Sequence, residues 1–207
     1  MFASLIDQIL STSIWEAIAV LLGFLYLALA IRENGWCWHA AFWSTAISIY
    51  LFWDVNLLME SALNVYYLLM AVYGWYQWRF GGTEHQPLAI QHWPLTKHLI
   101  AICSVLVLSA ISGYYLSRHT QAAWPYLDSF TTWGAVLTTY LVARKVLENW
   151  LYWLVIDGLS IYLYCDRGLF LYALLFAIYL VMVIFGYIRW RQEWLNESLQ
   201  SYEQQPA

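Results

Sequence analysis

Long apolar stretches separated by short polar loops make up most of this chain. Six stretches of 15 to 21 residues contain no Lys, Arg, Asp or Glu: 17–31, 34–53, 61–78, 98–117, 129–143 and 168–188. A seventh, 146–165, is interrupted by Glu148 and Asp157. A helix needs about 20 mostly apolar residues to cross a bilayer. The pattern therefore predicts seven membrane-spanning helices, at 14–31, 36–53, 57–78, 97–117, 127–143, 146–165 and 168–190.

The composition supports an integral membrane protein with almost no soluble part. Hydrophobic residues make up 62% of the chain and charged residues only 11%, whereas a soluble domain carries about 25% charged residues. The sequence has no basic stripe of the kind that binds nucleic acid. It also has no positive segment before the first apolar run, so we expect no cleavable signal peptide. The cysteines Cys37, Cys103 and Cys165 lack metal-ligand spacing, so we expect no metal and no cofactor.

The chain also repeats itself. Shifted by 112 residues, it matches without a gap over 15–79 and 127–191; the run 48–51 falls on 160–163, and Trp38, Gly74 and Trp78 fall on Trp150, Gly186 and Trp190. Four helices separate equivalent elements, so the halves run in the same direction. This predicts an all-α fold of two parallel three-helix repeats, 14–79 and 127–191, joined by a loop and linker helix at 80–118.

The loop charges predict the orientation in the membrane. One side carries seven basic residues and the other carries two; the seven are Arg32, Arg79, Lys97, Arg144, Lys145, Arg189 and Arg191, and the two are Arg118 and Arg167. Cytoplasmic loops carry the excess of Lys and Arg. We therefore expect a cytoplasmic C-terminus, with the polar tail 192–207 on that side.

Polar or bulky residues that break the repeat are the best candidates for contacts with a ligand. On the sixth helix Asn149, Trp153 and Asp157 are spaced i, i+4, i+8 and share one face, with Trp150 beside them. On the third helix the candidates are Glu60, Asn64 and Tyr67.

Depth points to the same site. At 1.5 Å per residue, Asn64 and Asp157 lie roughly 11 and 14 Å from the outer boundary, near the midplane. A carboxylate at that depth faces a bundle interior or a water-filled cavity; the alternative is a polar clamp between helices. Glu60 is nearer the membrane interface, where a rim or clamp role fits the sequence as well as contact with the ligand does.

The residue types suggest the chemistry of the solute. Trp and Tyr provide faces for stacking, and a carboxylate beside them favours a planar cation. Asn and Ser provide hydrogen bonds for hydroxyl groups, while no Lys or Arg lies at mid-membrane to pair with a phosphate. These features predict an aromatic, hydroxylated solute, neutral or cationic, without phosphate.

Two segments carry a family resemblance. The run Tyr73-Gly74-Trp75-Tyr76-Gln77-Trp78, together with Glu148-Asn149-Trp150-Leu151-Tyr152-Trp153 and Asp157, resembles the PnuC family of bacterial vitamin B3 transporters. The resemblance implies uptake of nicotinamide riboside across the inner membrane by facilitated diffusion, with trapping by cytoplasmic phosphorylation. It also implies a fold like that of the SWEET sugar transporters and a homotrimer.

The sequence leaves three alternatives to this function. The first is transport of another solute, such as a sugar, thiamine or riboflavin. The second is a seven-helix receptor or photoreceptor, but residues 168–190 contain no lysine for a retinal Schiff base. The third is a membrane-embedded enzyme, yet the spans hold no His-rich, Ser-Lys or paired-Asp constellation, and His39 is isolated. We therefore expect a transporter with no catalytic residues.

Overall fold

The computed structural model describes residues 13–54, 58–120 and 124–203, and these residues form a helical bundle. Within these ranges the seven α-helices are α1 Ile14–Ile31, α2 Cys37–Asp54, α3 Leu58–Phe80, α4 Leu95–His119, α5 Pro125–Ala143, α6 Asn149–Asp166 and α7 Phe170–Glu203, with a single turn of 3-10 helix at Thr83–His85. The helices begin and end within a few residues of the predicted spans, apart from the end of α7. That helix continues 13 residues past 190, since the polar segment that follows contains no Gly or Pro before Glu203.

Three of these helices are long and apolar enough to cross a bilayer by length and composition: α1, α4, and α7 from Phe170 to Leu199. The other four contain more polar residues, several of them buried within the bundle, including Thr138, Asn149, Asp157 and Ser160. Large apolar side chains such as Leu106, Ile111 and Phe185 are instead exposed on the outside. This inside-out distribution suits a protein surrounded by lipid.

Local sequence fixes several helix ends. Ser13 and Glu16 form a capping box at the start of α1, in which each side chain accepts a hydrogen bond from the other's backbone N–H. Pro125 occupies the first turn of α5, where its missing N–H costs nothing. Gly168 adopts φ +71° between α6 and α7, a conformation that favours glycine.

The helices pack as two groups of three. In the first, α2 lies against α1 and α3; in the second, α6 lies against α5 and α7. The linker helix α4 packs on α5. The first group, 13–80, and the second group, 124–203, are hereafter the two halves. They meet along two seams, α1 with α7 and α3 with α5.

Residues 112 positions apart make matching contacts across and within the halves. The Trp38 indole lies against Gly74, and the Trp150 indole lies against Gly186. Trp78 donates its indole N–H to the carbonyl of Val142, and Trp190 donates to the carbonyl of Ala30, both at 3.0 Å. A shift of 112 converts the first of these bonds into the second, with the roles of the halves exchanged.

The best-packed part of the bundle lies at the end that carries Arg32, Arg79, Arg144 and Arg191, here called the basic end. Trp38, Trp78, Trp150 and Trp190 are all at most 4% exposed and belong to one apolar cluster there. The long loop 81–94 closes over it. Gln91 exchanges backbone hydrogen bonds with Lys145 and Leu147, at 2.9 and 2.8 Å.

Candidate functional site

The most unusual group inside the bundle is the carboxylate of Asp157, in the middle of α6. The residue is only 3% exposed, and it forms no hydrogen bond or ion pair with any residue that the structure describes. Its neighbour on α7 is Tyr179, whose hydroxyl lies close enough to interact with it electrostatically. A buried carboxylate without a partner is costly, so this position suits a group that receives a donor or a cation from a ligand.

Tyr179 connects this carboxylate to the other half of the molecule. Its ring meets Phe24 of α1 edge-on, with centroids 5.2 Å apart. Its hydroxyl also approaches the backbone of α1 closely: a Cβ added at Gly23 would lie 2.9 Å from it. Asp157 therefore sits beside the α1–α7 seam, where both halves contribute atoms.

Further tyrosines surround the same junction. Tyr67 of α3 lies within electrostatic range of Tyr164 on α6, and Tyr26 of α1 lies within range of Tyr67. Phe176 lies against both Tyr164 and Tyr179 and so connects Tyr179 to the others. The four half-buried tyrosines come from four helices and are here called the tyrosine cluster. Beside it, Tyr66 donates its hydroxyl to the carbonyl of Val136 at 2.8 Å, across the α3–α5 seam. The tyrosine cluster thus places aromatic faces and hydroxyls where helices of both halves meet, and Tyr179 is its member nearest to Asp157.

Two of the predicted site residues belong to the packed core at the basic end. Asn149 is fully buried; its amide donates to the carbonyl of Val146 at 2.7 Å, while its Oδ1 has no partner among the described residues. Trp150 is 1% exposed and meets Trp190 edge-on at 5.2 Å. Both lie two turns of helix away from Asp157, about 11 Å along α6.

Trp153 lies between these two levels. It is half-buried and packs against the apolar cluster at the basic end. It shares a helix face with Asp157, one turn away. It therefore sits on the basic-end side of the buried carboxylate.

The candidates on α3 divide into an inner and an outer part. Tyr67 belongs to the tyrosine cluster. Asn64 is half-buried, and its amide donates to the carbonyl of Glu60 at 2.9 Å within the same helix rather than to α6. Glu60 is exposed and lies within electrostatic range of Tyr164. Of the three α3 candidates, Tyr67 and Glu60 therefore lie near Tyr164 of α6, with Glu60 at the exposed rim of the candidate site.

Among the described residues, two cavities lie on the flanks of the bundle. One of about 420 Å³ lies between α4, α5 and α6, with an apolar lining that includes Val105, Phe130 and Val155. The other, about 200 Å³, lies between α2 and α3 beside Trp38 and Trp75. Both are bordered mainly by carbon, which suits hydrocarbon more than a hydroxylated solute.

The sequence pattern did not reveal a polar cluster at the basic end of the larger cavity. Glu148 accepts hydrogen bonds from the imidazole of His92 and from the backbone N–H of Trp93. His98 and the hydroxyl of Tyr152 form a hydrogen bond of 2.8 Å. Each of these hydrogen bonds joins residues more than 50 positions apart in the chain. No local spacing in the sequence therefore reveals the cluster.

Comparison with known proteins gives the family. A family model described as nicotinamide mononucleotide transporter matches residues 13–192. The chain is 25% identical over 194 residues to the riboflavin/roseoflavin transporter RibM of Streptomyces davaonensis, covering 91% of this chain and 88% of that protein. It is 23% identical over 208 residues to the nicotinamide riboside transporter PnuC of Escherichia coli, covering 88% and 85%.

A solved structure has the same fold. The crystal structure of the vitamin B3 transporter PnuC superposes with a TM-score of 0.70 at 20% identity, covering 88% of this chain and 82% of that one. The relatives that match are transporters, and the apolar helices described above are those of a multi-pass membrane protein. Because the family model spans nearly the whole chain, this protein belongs to the nicotinamide mononucleotide transporter family, the family of PnuC.

Proposed function

We propose that this protein takes up nicotinamide riboside across the bacterial inner membrane. The observation that carries the proposal is Asp157, a buried carboxylate without a partner among the described residues, beside the tyrosine cluster at the junction of the halves. Nicotinamide riboside combines a planar pyridinium cation with ribose hydroxyls and has no phosphate. A carboxylate with aromatic faces stabilises the ring, and hydroxyl and amide groups can bond the ribose. The relative of that name in Escherichia coli supports the assignment.

In this proposal each predicted residue has a place along the path. Asp157 pairs with the pyridinium, and Trp153 and Tyr67 provide the stacking faces. Asn64 and Asn149 turn their amides from their present backbone partners to the ribose, and Glu60 draws the cation in from the rim. Trp150 closes the site from the basic end, where it is already packed.

We further propose that the bundle is a three-plus-one-plus-three arrangement of seven membrane spans, like that of the SWEET transporters. The matching indole bonds of Trp78 and Trp190 support a pseudo-twofold axis between the halves. The basic loops support a cytoplasmic basic end and C-terminus. The protein would assemble as a homotrimer, as the family resemblance implies.

Transport by this mechanism is facilitated diffusion and requires neither a cofactor nor catalytic residues. A single mid-membrane carboxylate that neutralises the solute is not a proton relay of Asp, Glu and His residues. Net uptake then requires a reaction that removes free riboside from the cytoplasm. Phosphorylation by a cytoplasmic kinase meets that need, because the product carries up to two more negative charges.

Riboflavin is the second candidate, because the chain is 25% identical to RibM, slightly more than to PnuC. The two vitamins differ in charge: the flavin ring is neutral and the pyridinium is not. A riboflavin carrier gains little from an ionised carboxylate beside the ring. The role of Asp157 therefore separates the two functions.

The experiment is ligand binding to the purified protein and to its Asp157→Asn variant, by calorimetry, with both vitamins. We expect nicotinamide riboside to bind the unaltered protein and to lose about tenfold or more in affinity in the variant, the scale of a hydrogen bond or ion pair to a charged group. Asp54→Asn, at an exposed carboxylate on the far end of α2, is the control and should bind normally. Binding of riboflavin alone, unaffected by Asp157→Asn, would favour the second candidate.

A further inference from the structure

The polar contacts that join the two halves are concentrated toward one end of the bundle. Among the described residues, hydrogen bonds and ion pairs cross between the halves at five places: Tyr66 to Val136, Trp78 to Val142, Gln77 to Arg144, Glu33 to Lys145 and Ala30 to Trp190. The first is near mid-helix, since Val136 is the twelfth residue of α5. The other four lie at the basic end. Polar contacts therefore hold the two halves together mainly on the basic-end side of the candidate site.

One of these contacts is an ion pair between residues that correspond in the two halves of the sequence but carry opposite charges. Lys145 Nζ lies 2.9 Å from Glu33 Oε2. The two residues are 112 positions apart, so they occupy equivalent places in the two halves, each the second residue after the end of its helix, α1 or α5. Both adopt the left-handed backbone conformation, with φ of 54° and 49°. Identical charges at these places would repel each other across the junction, whereas opposite charges attract.

The surroundings hold this pair in place. The side chains are only 19% and 9% exposed, and the ammonium also lies 4.9 Å from the centre of the Trp78 ring. Glu197, on the extension of α7, is within electrostatic range of both partners. The carbonyl of Lys145 accepts a hydrogen bond from Gln91 of the closing loop. One residue thus connects both halves, the loop and the indole cluster.

We infer that Glu33 and Lys145 are the latch of the cytoplasmic gate, the contact that holds the basic end closed and separates when solute leaves toward the cytoplasm. This inference rests on the proposed function, because a gate presupposes a path. A largely buried ion pair is suited to the task. The cost of removing its two charges from water offsets much of their attraction, and the charges regain that water when the pair opens. The closed and open states therefore differ little in free energy, whereas an apolar contact of the same size would oppose opening.

A native thiol reports on the latch without any substrate. Cys37 is fully buried at the start of α2, within electrostatic range of Lys145. Cys103 and Cys165 are exposed and are replaced by alanine to leave Cys37 as the only thiol. The rate at which a water-soluble maleimide labels Cys37 in purified protein then measures how often the basic end opens.

The variants are Glu33→Lys, Lys145→Glu and the double exchange, with Glu33→Gln as a milder change that removes the attraction without adding repulsion. We expect labelling about tenfold faster or more in the single reversals, a smaller increase in Glu33→Gln, and a rate near the original in the double exchange. Glu84→Lys is the matched control, because Glu84 is exposed on a basic-end loop and has nearly the same φ, 53°. It should leave the rate unchanged.

The inference is overturned if Glu33→Gln and the single reversals label Cys37 no faster than the control, or if the double exchange labels as fast as the single reversals. A single reversal that does not fold is judged by Glu33→Gln and the double exchange. The assay contains no vitamin, so its outcome is independent of which solute is carried. Failure of riboside binding would refute the proposed function and leave the labelling rates unaffected.

Discussion

The packing of Trp150 on Gly186 gives a prediction whose size follows from the structure. A Cβ at position 186 would lie 2.5 Å from Cζ3 of the Trp150 indole. Ordinary contacts begin near 3.4 Å, so the ring would have to retreat by about 0.9 Å. It has no room to do so, because Trp150 is 1% exposed and its ring is held edge-on against Trp190.

Overpacking a tight core usually costs about 1–3 kcal/mol, and the better helix propensity of Ala offsets roughly 1 kcal/mol of that strain. Gly186→Ala should therefore lower stability by up to about 2 kcal/mol. Gly74→Ala should behave alike, since its Cβ would lie 2.3 Å from Trp38. Equal losses at these two sites would support the proposed pseudo-symmetry.

The assay is thermal unfolding of purified protein in detergent, followed by tryptophan fluorescence. The matched control is Gly158→Ala in the middle of α6, where a Cβ meets nothing within 4 Å; this variant should unfold at the same temperature or higher. The reasoning is refuted if Gly186→Ala is as stable as Gly158→Ala, because the indole would then be free to move.

Three further predictions concern the solute. Trp153→Ala should weaken riboside binding by about 1 kcal/mol or more, as expected for a stacked or cation–π aromatic; unchanged affinity in calorimetry, with the fold intact, would assign Trp153 to packing. Uptake into kinase-loaded vesicles should persist when a protonophore is added, since the described residues form no relay of Asp, Glu and His side chains around Asp157; a collapse of uptake would make Asp157 a proton site. Nicotinamide mononucleotide should not displace the riboside, because its phosphate would lie unpaired near Asp157; displacement at similar concentration would require a basic contact at that depth.

The helices could be predicted from the chain because apolar length leaves a signal along it. Apolar length fixes where a helix can cross a bilayer, and α1 through α6 begin and end within a few residues of the predicted spans. The shift of 112 pairs Trp78 with Trp190 and Ala30 with Val142. In the structure the Trp78 indole donates to the carbonyl of Val142, and the Trp190 indole donates to the carbonyl of Ala30. A shift of 112 residues therefore converts one bond into the other.

The candidate site could be predicted only in part. Depth and helical spacing identified Asp157 because a carboxylate in an apolar span stands out. Tyr26 and Tyr164 were missed, since 17 tyrosines occur in the chain and nothing local marks those that face the junction. Trp150 is a candidate because it lies beside Asn149, although it matches Trp38 in the shifted sequence. Its packing on Gly186 is a contact between helices that spacing on one helix does not reveal.

Uptake of labelled nicotinamide riboside into vesicles that contain only this protein tests the central claim most directly. Without a kinase inside, we expect the label to enter and to stop when the internal and external concentrations are equal. With a riboside kinase and ATP inside, it should accumulate above the external concentration as the phosphorylated product is retained. No entry of the riboside, or accumulation above the external concentration without the kinase, would contradict the account.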